Sequence, residues 1–355
     1  MQSPLKLIKT YASFVKLSHT VFALPFAIAG MAAAYAVPTA FVYVSQHPQG
    51  LPPGGSFDQH LPFLWPALAL ILCCMVGARS FAMAINRILD RRIDALNPRT
   101  AKRELPAGAL SLPQAWVFAL AAAALYFGAC WMLGPVVLAL SPVPIALMWL
   151  YPLTKRFTAA CHLVLGASLG LAPVGAWVAV RSASWGDGAA LTPYLRWFAE
   201  GQSFTGLGWG AVAELAPWLL GGAVMLWVAG FDVIYALQDD EFDRANKLHS
   251  IPARFGRKRA LWISRAMHLC AAGLFFAFVY VLTHPAPTGG MDTRQYTQLE
   301  QWVWAAPCVM LAGMAYQHSL VRHDDLSRVN MAFFTVNGVI SLAFGSVFLA
   351  AWLLS

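Results

Sequence analysis

Long apolar runs recur along the whole chain, broken only by short polar stretches. A helix needs roughly 20 apolar residues to cross a hydrocarbon core of about 30 Å. Such runs lie at 18–37, 62–85, 114–133, 135–151, 160–181, 214–237, 260–283, 302–320 and 331–354. The pattern predicts an all-α integral membrane protein of about nine transmembrane helices, forming a single domain over 1–355. The shortest run, 135–151, holds Pro135, Pro142 and Pro144 and is expected to be kinked or short. The first run lacks a cleavage end and continues as a full span, so it should stay as helix one. A stretch near 182–213 reads as an external insertion.

Basic residues orient this pattern. Lys6, Lys9 and Lys16 precede the first run, and Arg87, Arg91, Arg92, Arg99, Lys102 and Arg103 follow the second. Lys155 and Arg156 follow the fourth, a basic stretch from Arg244 to Arg265 follows the sixth, and Arg322 and Arg328 precede the last. Only Arg181, Arg196 and Arg294 fall on the other side. Because Lys and Arg are retained on the cytoplasmic side, the chain is expected to be multi-pass in the cytoplasmic (inner) membrane, with its N-terminus cytoplasmic. Topology thus accounts for the formal net charge of +8, and no nucleic-acid partner is expected. The composition, 59% hydrophobic and 11% charged, excludes an ordinary soluble enzyme, in which about 25% of residues are charged. The six cysteines fall inside predicted spans without paired metal-ligand spacing, and read as buried small apolar residues, not disulfides or zinc ligands.

Ionisable groups within spans are costly, from about 2.5 kcal/mol upward at the bilayer centre, so an acidic cluster there points to function. Two such clusters occur. Asn86, Asp90 and Asp94 in AINRILDRRID close the second run, and Asp232, Asp239 and Asp243 in FDVIYALQDDEFD close the sixth. On a helix the first set drifts by about 80° over two turns, and the second returns to within roughly 20° of one line. Each set is therefore expected to face one cavity. Converging carboxylates repel unless a cation sits among them. Mg²⁺ suits them: it takes oxygen ligands, is held by one or two carboxylates, and shares its other positions with water and phosphates. The following loops add Arg99, Lys102 and Arg103 after the first cluster and Lys247, His249, Arg254 and Arg257 after the second, placed to meet a diphosphate. The matching layout of the two loops predicts a pseudo-repeat. Plainer roles stand beside these. Asp94, Asp240 and Glu241 also fit solvated helix ends, and Asp232 also fits a buried carboxylate bonded to Tyr235 or a neighbouring helix. His19 reads as a packed or interfacial histidine.

Asn86 to Asp94 fits an NxxxDxxxD motif, Arg99–Thr100 with Arg103 to Pro106 an RT..R.LP segment, and Tyr235 to Asp243 a YxxxDxxxD motif. Together they resemble the paired signatures of the UbiA superfamily of intramembrane prenyltransferases. The resemblance extends to Lys16–Pro25 and to Tyr151–Pro152 with Lys155–Arg156. Glu104 inside the second segment departs from it. YALQDDEFDRANKLHSIPARFG most resembles the 4-hydroxybenzoate polyprenyltransferase branch, while Leu248–His249–Ser250 favours a related group linked to menaquinone made by the futalosine route. The resemblance implies a UbiA-like bundle with a central cavity opening laterally to lipid, capped by cytoplasmic motif loops at 86–107 and 239–257. It implies Mg²⁺-assisted transfer of a polyprenyl group from polyprenyl diphosphate to an aromatic acid in quinone biosynthesis. 4-Hydroxybenzoate is the expected acceptor and a naphthoate of menaquinone biosynthesis the alternative. Asn86, Asp90, Asp94, Asp239 and Asp243 are the expected metal and diphosphate ligands. Asn86, Arg99, Arg103, Lys155 and Arg254 are expected to contact substrate, and Asp232 or Asp239 to position or deprotonate the phenol. A transporter also carries intramembrane acids, but here they collect at one face.

Overall fold

The computed structural model of the chain describes residues 10–11, 13–15, 23–36, 61–185, 215–284 and 301–354. His19, the N-terminal Lys6, Lys9 and Lys16, and all but the first four residues of the 182–213 insertion lie outside the described residues; those four continue a helix. In chain order the α-helices are α1 (Leu24–Ala36), α2 (Leu61–Leu96), α3 (Leu112–Leu133), α4 (Pro135–Leu140), α5 (Pro142–Thr154), α6 (Cys161–Trp185) and α7 (Ala216–Ala236). They continue with α8 (Asp240–Ala245), α9 (Ile251–Phe255), α10 (Arg257–Thr283), α11 (Ala305–Leu320) and α12 (Asn337–Leu354).

Among the described residues, seven helical segments are long and apolar enough to cross a membrane, α4 with α5 and α7 with its continuation each counting as one. The stretch Leu24–Ala34 is a shorter apolar helix, and α11 has 16 residues. The expected run at 135–151 is divided at Ser141, between two helices that each open with proline. The cysteines are free, as expected, but Cys270 and Cys308 are exposed rather than buried, on outward helix faces. Val117, Leu120 and Leu269 are likewise about two-thirds exposed. Hydrocarbon tails bear such side chains at no cost, whereas water would not.

Apolar side chains gain nothing by moving from lipid to a helix interface, so membrane helices associate through close backbone approach at small residues. α6 carries GxxxG at Gly166–Gly170, and its Gly face lies directly on α7. A Cβ at Gly166 would stand 2.1 Å from the Met225 carbonyl oxygen, and one at Gly170 would stand 2.4 Å from that of Gly221. Gly30 of α1 meets Pro173 of α6 in the same way, and Gly77 of α2 meets Ala122 and Tyr126 of α3. α7 packs in turn on α10, and α1 on α12, so α6 and α7 form the centre of the bundle.

The 36 residues of α2 make it about 54 Å long, well beyond a hydrocarbon core of about 30 Å. Its last turns, which carry Asn86, Asp90 and Asp94, therefore project beyond the apolar slab, and α7 brings the second cluster to the same face. Ala at Gly166 is expected to destabilise the protein by about 1–3 kcal/mol because the facing group is backbone and cannot step aside. Ala at Gly273, where nothing lies within 4 Å of the new Cβ, should leave stability unchanged or slightly raised. Thermal unfolding of both variants in detergent measures the contrast.

Candidate active site

The loop after α2 is built by its own turns. Thr100 and Ala101 donate backbone N–H groups to the Asn97 carbonyl, and the Thr100 hydroxyl donates to the Asp94 carbonyl at 3.0 Å. Gly108, at φ +70°, turns the chain toward α3, whose start is closed by Ser111 and Gln114 capping each other. The second loop ends in a comparable device. Ser250 caps α9, accepting from the Ala253 N–H, and Gly256 at φ +78° leads into α10. His249 donates its backbone N–H to the Lys155 carbonyl at 2.7 Å, tying this loop to the one after α5.

One expectation of the helical spacing does not hold. The chain tightens into a 3₁₀ turn at Leu237–Asp239 before α8 begins at Asp240. Asp232, Asp239 and Asp243 therefore do not lie along one uninterrupted α-helical line. They reach different partners instead.

Asp239 receives Arg99 Nε at 2.9 Å, a second bond from Arg99 Nη2, and Asn97 Nδ2 at 3.1 Å. Arg99 Nη1 also donates to the Tyr235 hydroxyl at 2.9 Å, with the guanidinium 5.2 Å from the centre of that ring. Arg103 donates to both oxygens of Asp94, at 2.7 and 2.8 Å. Lys155 Nζ stands 2.8 Å from Asp243 Oδ1, while the Ser250 hydroxyl donates to Oδ2 at 2.8 Å. Arg156 lies 3.4 Å from Asp90 and donates to the Leu89 carbonyl at 2.9 Å. Basic residues from two loops thus stitch together both acidic clusters. Asp94 and Asp240 are buried rather than solvated, because each is neutralised: Asp94 by Arg103, and Asp240 by Arg244 and Arg257. Burial alone lowers the affinity of Arg99 for its proton, but Asp239 outweighs this and holds it above its ordinary pKa. Asp243 does the same for the half-buried Lys155. Both remain cations available to phosphate.

Arg254 departs from expectation. It is exposed, with its guanidinium 5.5 Å from the centre of the Phe255 ring, and is not drawn into these pairings. The unusual Glu104 accepts a hydrogen bond from the Ser13 hydroxyl at 2.6 Å.

Beneath the paired loops lies a cavity of ≈ 340 Å³. Asn86, Arg87, Arg103 and Tyr235 line it, as do Asp232, Tyr126, Tyr151 and apolar residues of α4 to α7. A π-helical turn at Met331–Val336 brings Phe333 and Phe334 to the wall, with the Phe333 ring 4.2 Å from that of Tyr235. Gln317 and Asn337 amides hold that turn by donating to the carbonyls of Ala332 and Phe333. Asp232 does not bond Tyr235; its Oδ2 lies 2.6 Å from His162 Nδ1.

Two arginines of the cavity wall carry buried N–H groups without a hydrogen-bond partner: Nε of Arg79, and Nε and Nη1 of Arg87. Neither these roles nor that of His162 was anticipated from the sequence. The signal for Arg79 was its place in the middle of the apolar run MVGARSFAM, where a guanidinium is costly without an anion. His162 offered no comparable signal, because its partner is 70 residues away.

The oxygen-only donor set of Asn86 and the four carboxylates suits a hard cation such as Mg²⁺. No three His, Cys, Asp or Glu side chains converge on one point among the described residues. A metal ion here would take one or two carboxylates, with water and phosphate completing its shell, which is the usual habit of Mg²⁺.

Comparison with known proteins agrees with this architecture. A 4-hydroxybenzoate octaprenyltransferase of Idiomarina loihiensis is 27% identical over 293 residues, 79% of this chain and 88% of that protein. The apo structure of a UbiA homologue from Aeropyrum pernix K1 superposes with a TM-score of 0.65 at 30% identity, covering 95% of this chain and 97% of the other. A UbiA homologue from Archaeoglobus fulgidus bound to GPP and Mg²⁺ shares the fold, with a TM-score of 0.59 at 19% identity over 96% of this chain and 99% of that one. The profile of the UbiA prenyltransferase family matches residues 53–339, and with that match covering most of its length this chain belongs to that family.

Proposed function

We propose that this protein transfers a polyprenyl group from a polyprenyl diphosphate to an aromatic hydroxy acid, most simply 4-hydroxybenzoate, with Mg²⁺, as a step of quinone biosynthesis. The observation that carries the acid is Arg79. It stands seven residues before Asn86 and lines the same cavity, inside the membrane-spanning part of α2, with its Nε unsatisfied. A buried cation without a partner is stabilised by an anionic ligand, and a guanidinium matches a carboxylate in shape and charge. The carboxylate of a hydroxybenzoate supplies that anion.

Diphosphate belongs at the paired loops. Asn86, Asp90 and Asp94 on one side and Asp239 and Asp243 on the other would hold magnesium, which when bound neutralises the departing diphosphate. Arg99, Arg103 and Lys155 are already positioned among those carboxylates and can turn to phosphate oxygens as the carboxylates turn to metal. Tyr235, Phe333 and Phe334 give electron-rich faces to the allylic cation that forms below them. Apolar walls keep water away from it. The positive-inside bias of the sequence supports a cytoplasmic position for these loops.

A hydroxynaphthoate also presents a carboxylate and a hydroxyl, so Arg79 would serve that acceptor too. His249, whose identity pointed toward the menaquinone-linked group, is exposed and does not line the cavity, which supports a place for its side chain away from the ring.

Membranes carrying the protein should form prenylated hydroxybenzoate only with Mg²⁺, and chelation should abolish the product. Asp90→Ala and Asp239→Ala should each lower turnover by about 100-fold or more; full turnover in either variant, or without metal, would overturn the two-cluster assignment. Arg79→Gln should raise KM for hydroxybenzoate by about 10- to 100-fold, the loss of one charged hydrogen-bonded pair. The same variant should scarcely affect a phenol lacking the carboxylate. Equal losses with both acceptors would remove Arg79 from acceptor binding.

A further inference from the structure

Asp232 is the one carboxylate among the described residues that lines the cavity. Its surroundings specify which of its oxygens is free. His162, the second residue of α6, is 2% exposed and lies between two partners. Its Nδ1 is 2.6 Å from Asp232 Oδ2, and its Nε2 is 3.3 Å from the backbone nitrogen of Ile251. A backbone N–H can only donate, so Nε2 must present its lone pair, and the ring proton is therefore on Nδ1. Nδ1–H then donates to Oδ2. That oxygen is occupied as an acceptor, while Oδ1 makes no hydrogen bond among the described residues.

We propose that His162 is a positioning residue that holds Asp232 with Oδ1 turned to the cavity, where it takes the proton displaced from the aromatic ring. This rests on the prenyl-transfer reading above. In the balanced step, the prenyl C–O bond breaks with its electron pair leaving on diphosphate, and a bond forms between the prenyl carbon and a ring carbon. The C–H electrons of that carbon restore aromaticity, its proton goes to Asp232 Oδ1, and from there it passes to water.

The same contacts make this geometry depend on the second motif loop. Ile251 opens α9, whose cap Ser250 donates to Asp243, and Asp243 is paired with Lys155. The acceptor end of the cavity is thus joined to the diphosphate end through Lys155, Asp243, Ser250, Ile251, His162 and Asp232. A diphosphate that orders the loop also secures the proton acceptor.

The test uses the purified full chain in detergent with Mg²⁺, farnesyl diphosphate and 4-hydroxybenzoate. His162→Ala is expected to lower kcat by roughly 100-fold, the scale of a mis-set proton acceptor, with KM for the diphosphate unchanged. His162→Gln has both a donor and an acceptor on its amide, and should recover activity to within about tenfold of the parent. His162→Ala combined with Asp232→Asn should be no slower than Asp232→Asn alone, because both changes remove one function. Unchanged kcat in His162→Ala, an equal loss in diphosphate KM without rescue by Gln, or additive losses in the double variant would each overturn the proposal. So would full turnover by Asp232→Asn, which would leave prenyl transfer itself intact. Should the parent prefer another hydroxyarene, the acceptor assignment falls, and the same comparison made with that arene still decides the role of His162.

Discussion

The pairing of Arg99 with Asp239 is the constraint on which the polar end of the molecule depends. It joins the loop after α2 to the end of α7 by a two-pronged, charge-assisted contact, strengthened by Asn97 and Tyr235. Without a cation between them, the two acidic clusters would push apart in a setting where water screens poorly. Lys155, Arg103 and Arg156 repeat this arrangement around the rim. On the proposed reading these cations have a second consequence: a magnesium diphosphate would bring in both the cations the carboxylates need and the anions the arginines need. The partners could then exchange without leaving a buried charge uncompensated, which would otherwise cost several kcal/mol.

The apolar part of the bundle follows a different rule. Since lipid is as apolar as the helix faces, shape and backbone proximity decide which helices adjoin, and Gly166, Gly170 and Gly221 bring α6 and α7 into direct contact. That contact places the first residues of α6, including His162, beside Asp232 on α7. The polar network at the cavity is therefore positioned by a glycine interface that begins about one turn from His162 along α6.

Much of this was legible in the sequence, because the bilayer imposes a simple length rule and makes acidic groups conspicuous. The apolar helices and the two acidic clusters lie where the pattern of residues pointed, whereas Arg99, Arg103 and Lys155, read from the sequence as substrate contacts, are seen here as ion-pair partners of the acids. The break at Leu237–Asp239 was not legible: YALQDDEFD has no glycine or proline, and tertiary contacts from Arg99 and Asn97 to Asp239 accompany the tighter turn. The π-helical turn that presents Phe333 and Phe334 was hidden in part for the same reason, since Gln317, which bonds the Ala332 carbonyl, belongs to α11, while Asn337 directly follows the turn and bonds Phe333 locally. Arg79 was legible from the apolar run around it, but a lone cation in a span does not name the anion it meets. Arg254 looked like a site residue because it lies near the motif, yet proximity in sequence left it exposed.

On the proposed reading, the distribution of polarity along the cavity sets the orientation of both substrates. Diphosphate is confined to the loop end, where nearly all the carboxylates and most of the cations lie. The acceptor needs one anionic and one proton-releasing position, and the wall offers Arg79 and Asp232 as partners for them. The prenyl tail is then left with the surfaces that have no polar group to satisfy, such as Leu133, Val137, Leu169 and Ala176. These assignments bring the reacting carbon beneath Tyr235, Phe333 and Phe334, whose rings pack against one another at the cavity wall and, through Phe333, against Phe231. An allylic cation formed there has ring faces to stabilise it and, on the proposed reading, an arene to trap it. The chemistry is thereby localised by the separation of charges along the cavity, before any single residue acts on the reacting bond.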